Sequence, residues 1–324
     1  MKSFSEYIDL VQQELEKLDW KKEPKGLYEP ISYVLSFGGK RVRPVFSLIA
    51  NDVFDGDLKQ VVPAALALEI FHNFTLLHDD VMDRADIRRG RPTVHKKWDE
   101  NTAILSGDAM LIEAYRLLEK IPEKYQSRVL SLFSKMALEI CEGQQYDVDF
   151  ERSNSIQIND YLNMIRLKTA VLLATALQIG ALMADADEKQ VSLMYDFGIC
   201  IGIAFQLRDD FLDVYGNEET FGKAIGGDIL CCKKTFLSIT AFQKAKGELF
   251  DELVDWFNSD DKNPQEKIAK ITQIYNQLDV PQLCEKMIEQ YNQKAMHILD
   301  ELALTDEKKD FLQTIAQKLM QRKD

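Results

Sequence analysis

Length, composition and charge exclude several classes of protein. The chain has 324 residues, of which 46% are hydrophobic and 29% are charged, and its net charge is −13. Because an acidic surface repels the phosphate backbone, no nucleic-acid partner is expected. The five cysteines form neither a paired disulfide framework nor a metal knuckle, which indicates a reducing compartment and a cytoplasmic location.

Apolar residues recur at helical spacing along nearly the whole chain, and no alternating strand of convincing length interrupts them. Only 15 Gly and 8 Pro are present, which leaves room for long helices. The predicted helices cover residues 3–18, 28–37, 43–54, 60–84, 101–119, 125–150, 157–184, 187–215, 235–258, 264–276, 281–303 and 306–322. This pattern predicts an all-α fold: a single large bundle of about a dozen helices in one domain spanning residues 1–324.

The apolar segments predict no membrane span. The most apolar stretch, TAVLLATALQIGALMA at 169–184, contains Gln178 and is shorter than the roughly 20 residues that a spanning helix needs. The first residues, MKSFSEYIDLVQQELEK, have no continuous apolar segment and no small-residue cleavage site. Neither a secretion signal nor an anchor is therefore expected there.

Two copies of an Asp-Asp-x-x-Asp motif are the most unusual feature of the sequence. They are DDVMD at 79–83 and DDFLD at 209–213, and each follows an apolar run. Residues i and i+4 share a helix face, which pairs the outer carboxylates as Asp79 with Asp83 and Asp209 with Asp213. Such like charges need a cation. Because carboxylate clusters suit hard divalent ions and leave room for phosphate oxygens, magnesium with a phosphorylated ligand is predicted.

Two other interpretations of these motifs remain open. Each motif is also compatible with a helix end that carries a solvated acidic turn. A di-iron carboxylate bundle is a second rival, because Glu69 and His72 form one Glu-x-x-His pair. That architecture needs two such pairs, and the remaining histidines, His78, His95 and His297, supply none.

Basic residues that could complete a diphosphate pocket occur where loops meet helices. They lie in GGKRVRP at 38–44, at Arg88 and Arg89, and at Lys168, Lys223 and Lys233. Each of them alone is compatible with an ordinary solvated surface. Lys40 and Arg43 follow a Gly-Gly turn, however, and Lys168 opens the most apolar stretch, which favours a binding role.

The ordered set of motifs resembles that of the trans-isoprenyl diphosphate synthases, the family of farnesyl and geranylgeranyl diphosphate synthases, along essentially the whole chain. The motifs are GGKRVRP, LLHDDVMDRADIRRGRPTVH, KTA at 168–170, and FQLRDDFLDVYG followed by GK and GGD. The resemblance implies the isoprenoid synthase fold, a helical bundle around a central cavity, and a homodimer. It also implies a Mg-dependent polyprenyl diphosphate synthase that joins isopentenyl diphosphate to allylic diphosphates such as the dimethylallyl, geranyl and farnesyl esters.

The resemblance further implies a role for individual residues. It places three Mg²⁺ ions per active site, with Mn²⁺ as an alternative, on the metal ligands Asp79, Asp83 and Asp209. The other catalytic residues that it implies are Asp80, Asp210, Asp213, Lys168, Thr169 and Gln206. The allylic diphosphate is expected at Arg88, Lys168, Lys223 and Lys233, although Lys234 competes with Lys233 for its role. Isopentenyl diphosphate is expected at Gly39, Lys40, Arg43, His72 and Arg89.

Residues just before the first motif are expected to set the product length. Phe74 and Thr75 stand five and four positions before Asp79, and Phe71 lies one helical turn further back. A bulky Phe74 beside a smaller Thr75 resembles the pattern of geranylgeranyl diphosphate synthases. Core packing is the plain alternative for these aromatic residues.

Three alternative functions remain open: a farnesyl diphosphate synthase, a terpene cyclase and a noncatalytic partner subunit. A cyclase needs no second diphosphate clamp, and a silent partner would tolerate the loss of a motif aspartate. Neither departure is visible in the sequence. The basic tail with Arg322 and Lys323 is a candidate cap over the site, and a frayed, solvated end is its plain alternative.

Overall fold

The described residues fold almost entirely into helices. The structure, a computed structural model, describes residues 1–153, 155–217, 225–259 and 261–320. In chain order its elements are α1 (Phe4–Glu16), α2 (Lys25–Leu35), α3 (Val42–Val53), α4 (Leu58–Met82), β1 (Ile87–Arg88), β2 (Arg91–Pro92), α5 (Val94–Lys97), α6 (Glu100–Leu118), α7 (Glu123–Glu151), α8 (Ile158–Ile165), a π-helical turn (Arg166–Ala170), α9 (Val171–Leu182), α10 (Glu188–Tyr215), α11 (Gly227–Leu230), α12 (Phe236–Lys244), α13 (Glu248–Phe257), α14 (Pro264–Gln277), α15 (Val280–Glu301) and α16 (Asp306–Met320). The all-α class predicted from the sequence is confirmed.

The chain divides into two compact units, of which the first comprises Met1–Lys135 and Thr175–Met194. Helix α4 is central to this unit and packs against α3 and α6. Helix α4 itself carries apolar residues on nearly every side, as expected of a helix whose middle is buried. Leu68, Ile70 and Phe71, for example, are each at most 1% exposed. The first aspartate motif therefore emerges at the end of a rigid, buried helix.

A short antiparallel hairpin follows α4, and the sequence did not predict it. Strands β1 and β2 pair through a two-residue turn, Arg89-Gly90, in which both residues have positive φ angles of 51° and 73°. Positive φ at both turn positions is typical of the tight turns that match strand twist. The Tyr33 hydroxyl donates a hydrogen bond of 2.9 Å to the last carbonyl of β2. The hairpin thereby holds Arg88 and Arg89 in fixed positions after the motif.

The second unit comprises Met136–Ala174 and Tyr195–Asp324. Its most unusual local feature is the π-helical turn Arg166–Ala170, which interrupts a helical run from Ile158 to Leu182. Two glycines allow the close approach of this turn to its neighbours. A Cβ on Gly143 of α7 would lie 2.3 Å from the backbone nitrogen of Lys168. A Cβ on Gly202 of α10 would lie 2.7 Å from the Cα of Ala170. Single π turns are rare and occur often at functional sites.

The prediction of one helix over 235–258 is wrong. The chain forms α12 and α13 instead, with an extended Ala245 and a Gly247 at φ 57° between them. Helical periodicity continues across this break, so the apolar pattern alone did not reveal it. The short helices α5 and α11 were also missed. The single domain predicted for residues 1–324 stays a prediction.

Among the described residues, three helices are long and apolar enough to cross a membrane by length and composition: Leu58–Met82, Ile158–Leu182 and Glu188–Tyr215. Between 61% and 78% of the apolar window in each is buried inside the structure. The length argument from residues 169–184 is wrong for the second of them, because the helical run begins at Ile158. The expected absence of a membrane span stays a prediction.

The close contact at Gly143 predicts a specific sensitivity to an added methyl group. The variant Gly143→Ala should lower the free energy of unfolding by about 1–3 kcal/mol, because its Cβ meets backbone that cannot move aside cheaply. Gly26→Ala is the control, because no atom lies within 4 Å of its added Cβ and it lies in a helix. The control should be neutral or stabilising by up to about 1 kcal/mol. Urea unfolding of both variants measures the difference, and equal effects would contradict this account.

Candidate active site

The first aspartate motif lies at the C-terminal end of α4. The Asp83 amide donates to the Asp79 carbonyl at 2.8 Å, so the last turn stays helical and both side chains leave the same face. Asp83 is exposed and Asp79 is half-buried. Asp80 is only 5% exposed and accepts a hydrogen bond of 2.6 Å from Arg88 Nε of the hairpin. Burial raises the pKa of Asp80, while the Arg88 charge opposes that rise.

The middle carboxylate of the second motif is also directed into the protein. Asp210 is 4% exposed and accepts hydrogen bonds from the Tyr161 hydroxyl at 2.5 Å and from Gln206 Nε2 at 2.8 Å. Burial raises the pKa of Asp210 to about 7, and the nearby Asp228 carboxylate adds to the rise. Lys233 and the two hydrogen bonds oppose it. Asp210 is thus anchored within the second unit.

The outer carboxylates of the second motif have a different environment. Asp209 and Asp213 are half-buried, one helical turn apart on α10. An Asp213 oxygen accepts a hydrogen bond of 2.9 Å from the backbone N–H of Asp228, at the start of α11. This contact fixes the outer carboxylate against the GGD segment.

Both motifs therefore follow one plan, with a buried middle carboxylate and more accessible outer ones. In neither unit do the described residues bring together three or more His, Cys, Asp or Glu side chains that could hold a metal ion by themselves. An incomplete set of carboxylate oxygens fits magnesium, which keeps several waters and is usually bound by one or two carboxylates plus substrate phosphates. The outer carboxylates have the right chemistry for that ion.

The π turn carries Lys168 and Thr169 next to the second motif. Lys168 Nζ lies 2.6 Å from Asp147 Oδ2 of α7. The Thr169 hydroxyl donates to Gln206 Oε1 at 3.3 Å, and the amide nitrogen of the same Gln206 donates to Asp210. The structure thus brings Thr169, Gln206 and Asp210 into one hydrogen-bonded chain.

A cluster of basic residues forms around His72 in the first unit. Arg89 donates a hydrogen bond to the Gly38 carbonyl, and a Cβ on Gly39 would lie 2.7 Å from its guanidinium. Desolvation lowers the pKa of His72 well below its ordinary value, and the charges of Arg43 and Arg89 lower it further. His72 is therefore neutral at neutral pH, beside cations suited to a diphosphate.

The predicted chain-length residues lie in a row of aromatic rings on α4. The Phe74 ring packs 5.4 Å from Phe71 and 4.7 Å from His78, measured between ring centroids. Phe71 is buried and also packs against Phe133 at 5.3 Å. The Thr75 hydroxyl donates to the backbone carbonyl of His72 at 2.8 Å. Phe74 is half-buried and is held on two sides, as a fixed wall would be.

The remaining predicted residues differ in what the structure says of them. Lys233 Nζ lies 3.9 Å from Asp228 Oδ1, whereas Lys234 Nζ lies over the Phe257 ring at 5.2 Å from its centroid. These contacts favour Lys233 over Lys234 as the polar site residue. Lys223 and the tail residues Arg322 and Lys323 lie outside the described residues.

Several residues of the site were not found from the sequence. Tyr161 and Asp147 carry no motif and reach Asp210 and Lys168 only through the packing of separate helices. Glu69 was considered only as an iron ligand, but it forms a buried ion pair with Arg41. A buried acidic residue in an apolar run was the one signal available for it.

Comparison with known proteins identifies the family. Residues 24–278 match the family model described as polyprenyl synthetase. The chain belongs to the polyprenyl synthetase family. This membership confirms the resemblance and makes the protein an enzyme of the prenyltransferase type. The family implies isoprenoid diphosphate substrates.

Relatives of this polyprenyl synthetase cover much or all of its length. The geranylgeranyl diphosphate synthase of Methanosarcina mazei is 42% identical over 247 residues, 75% of each chain. A crystal structure of a geranylgeranyl pyrophosphate synthase is 44% identical, covers 100% of both chains and superposes with a TM-score of 0.95. The synthase from Corynebacterium glutamicum, solved with isoprenyl diphosphate and magnesium, is 28% identical over 98% of this chain and 96% of its own, with a TM-score of 0.84.

The middle and outer carboxylates of the second motif predict different effects: loss of the middle one should lower stability, and loss of an outer one should lower turnover. Asp210→Ala should lower the free energy of unfolding by about 1–3 kcal/mol, because the buried Tyr161 hydroxyl and the half-buried Gln206 amide lose their acceptor. Asp209→Ala should leave the folded state intact, since it removes one of several like charges, while turnover falls by at least about 10²-fold. Urea unfolding and a prenyl transfer assay of both variants provide the test. A loss of stability as large in Asp209→Ala as in Asp210→Ala would contradict the assignment.

Proposed function

We propose that this polyprenyl synthetase joins isopentenyl diphosphate to allylic diphosphates and releases geranylgeranyl diphosphate as its main product. The observation that carries the proposal is the shared plan of the aspartate motifs. Each motif keeps its outer carboxylates for a cation and anchors its middle carboxylate within the protein. The basic cluster around His72 supports a separate place for a second diphosphate.

The ligands that we propose for three magnesium ions per active site are Asp79, Asp83 and Asp209. Bound magnesium supplies positive charge to the diphosphate that leaves the allylic carbon. Arg88, Lys168 and Lys233 would contact the same diphosphate. In the structure they lie against Asp80, Asp147 and Asp228, so each has a carboxylate partner in the free enzyme. Lys223, outside the described residues, would join them.

Isopentenyl diphosphate would bind at the basic cluster of the first unit. Lys40, Arg43 and Arg89 supply positive charge, and the backbone at Gly39 approaches without a side chain in the way. His72 is neutral, so one of its ring nitrogens can donate a hydrogen bond to a phosphate oxygen. This clamp separates the proposal from a terpene cyclase, which binds one diphosphate only.

The reaction breaks the allylic C–O bond, and the bonding electrons leave with the diphosphate. The double bond of isopentenyl diphosphate then attacks the allylic carbon to form a C–C bond, and loss of a proton to the departed diphosphate restores a double bond. Positive groups stabilise the leaving charge more strongly in the transition state than in the ground state. Thr169 and Gln206 present polar oxygens beside the second motif, where positive charge on carbon would be tolerated.

Product length is proposed to depend on Phe74. Its ring is held by Phe71 and His78, which supports a fixed end to the hydrocarbon site. Relatives named geranylgeranyl diphosphate synthase support geranylgeranyl diphosphate as the product. Farnesyl diphosphate is the shorter alternative.

A homodimer in the cytoplasm, without a membrane span, completes the proposal. Helix α6 exposes Ile104, Leu105 and Ile112 by 43% to 59%, and such an apolar face is suited to a second copy. Sedimentation at about twice the 37.3 kDa chain mass would support the dimer.

The decisive experiment supplies the full chain with magnesium, farnesyl or dimethylallyl diphosphate and labelled isopentenyl diphosphate. The dephosphorylated products are then sized by chromatography. Labelled geranylgeraniol is expected, and removal of magnesium with EDTA should abolish labelling. Farnesol alone would indicate the shorter synthase, and an absence of isopentenyl incorporation would reject the proposal.

Phe74→Ala should lengthen the product while the enzyme keeps turning over, because removal of the ring opens space beyond the hydrocarbon end. The same chromatographic assay measures the shift. Thr75→Val is the matched control: it replaces the hydroxyl that is bonded to backbone with a methyl group of similar size, so the bulk at position 75 is kept and product length should not change. An unchanged product distribution in Phe74→Ala would exclude it as the stop.

A further inference from the structure

Arg41 lies between two residues of the proposed isopentenyl diphosphate clamp but does not belong to it. Its guanidinium donates to Glu69 Oε1 at 2.6 Å through Nη1 and to the Leu35 carbonyl at 2.8 Å through Nη2. The Arg41 and Glu69 side chains are only 2% and 4% exposed. A guanidinium with its donors engaged in this way is not available to an incoming anion.

Stability alone gives a weak reason for this ion pair. Buried pairs often contribute no more than apolar residues of similar volume, because both charges lose their hydration. Among the described residues, none accepts a hydrogen bond from the buried Arg41 Nε, so the pair is not fully satisfied. A role in geometry explains the pair better.

The backbone around Arg41 needs an anchor. Arg41 has φ 45° and ψ 34°, a left-handed conformation, immediately before the first residue of α3. Gly38 and Gly39 precede it with φ angles of 70° and 133°. Left-handed backbone is unfavourable for a residue with a side chain and persists where other contacts hold it. The pair with Glu69 is such a contact, and it fixes the backbone that carries Lys40 and Arg43.

Glu69 is itself held by a residue of its own helix. Asn73 Nδ2 donates to Glu69 Oε1 at 3.0 Å and to the Glu69 carbonyl at 2.8 Å, and Asn73 is 1% exposed. His72 follows Glu69 by three positions on α4, so the two side chains leave the same side of the helix. The carboxylate thus ties the loop after α2 to the helix that carries His72.

We infer that the buried Arg41–Glu69 pair is a positioning device, which aligns Lys40 and Arg43 with His72 and does not itself contact isopentenyl diphosphate. This inference rests on the proposed function and extends it to two residues without an assigned role. The Glu69 carboxylate also places one negative charge beside the basic cluster around His72, which reduces the mutual repulsion of these cations in the absence of substrate.

Glu69→Gln separates this role from its rivals, because it keeps the shape of the side chain and removes its charge. The KM for isopentenyl diphosphate should rise by about 10- to 100-fold, since misplacement of binding groups by about 1 Å has effects of that size. The KM for the allylic diphosphate should stay within about twofold of the wild-type value, because only the isopentenyl diphosphate clamp is disturbed. Arg41→Lys keeps the ion pair but loses the hydrogen bond to the Leu35 carbonyl. Its KM for isopentenyl diphosphate should therefore lie between those of the wild type and Glu69→Gln.

The control is Asp52→Asn, which removes a carboxylate that accepts a hydrogen bond from Tyr7 in the same unit. Its thermal midpoint should fall with both KM values unchanged. A lower KM in Glu69→Gln would mean that Arg41 is a ligand restrained by Glu69, and would overturn the inference. A lower midpoint with unchanged KM would reduce the pair to a structural role and also overturn it. If Glu69→Gln does not fold, Arg41→Lys decides by the same measurements. Wild-type protein without isopentenyl incorporation would overturn the proposed function and this inference together.

Discussion

Repulsion between carboxylates one helical turn apart is the constraint on which the arrangement of both motifs depends. Each motif places three acidic side chains directly after an apolar run. The structure relieves this repulsion by giving the middle carboxylate of each motif hydrogen-bond partners of its own. Asp80 is paired with Arg88, and Asp210 is held by Tyr161 and Gln206. The outer carboxylates, which we propose as cation ligands, therefore lie beside a middle carboxylate that already has partners of its own.

The basic cluster presents the opposite problem, because several cations lie close together around His72. Two features reduce its cost. Glu69 supplies a buried negative charge, and His72 gives up its proton under the influence of burial and of neighbouring arginines. A protein with a net charge of −13 can therefore carry a locally positive site, because local charge and not the total determines what binds there.

The sequence predicted the helices and motifs well, because both depend on short-range spacing. Apolar periodicity located α4 and α10, and the i, i+4 rule placed the outer carboxylates on one face. Spacing did not reveal the partners of the inner carboxylates. Tyr161 reaches Asp210 across a gap of 49 positions, and Arg88 reaches Asp80 from the first strand of the hairpin that follows α4. Tertiary packing decides such contacts. The π turn escaped for another reason, since one extra residue hardly disturbs a long apolar pattern.

That extra residue has an evolutionary consequence. Each position along a helix turns the next side chain by about 100°, so the π turn sets the rotational phase of Lys168 and Thr169 relative to the rest of their helix. Deleting one residue between 166 and 170 would restore a regular helix with its flanking turns still in register, but it would remove the local bulge that directs Lys168 towards Asp147 and Thr169 towards Gln206. Single-residue gaps should therefore be selected against in this stretch, even where substitutions are tolerated.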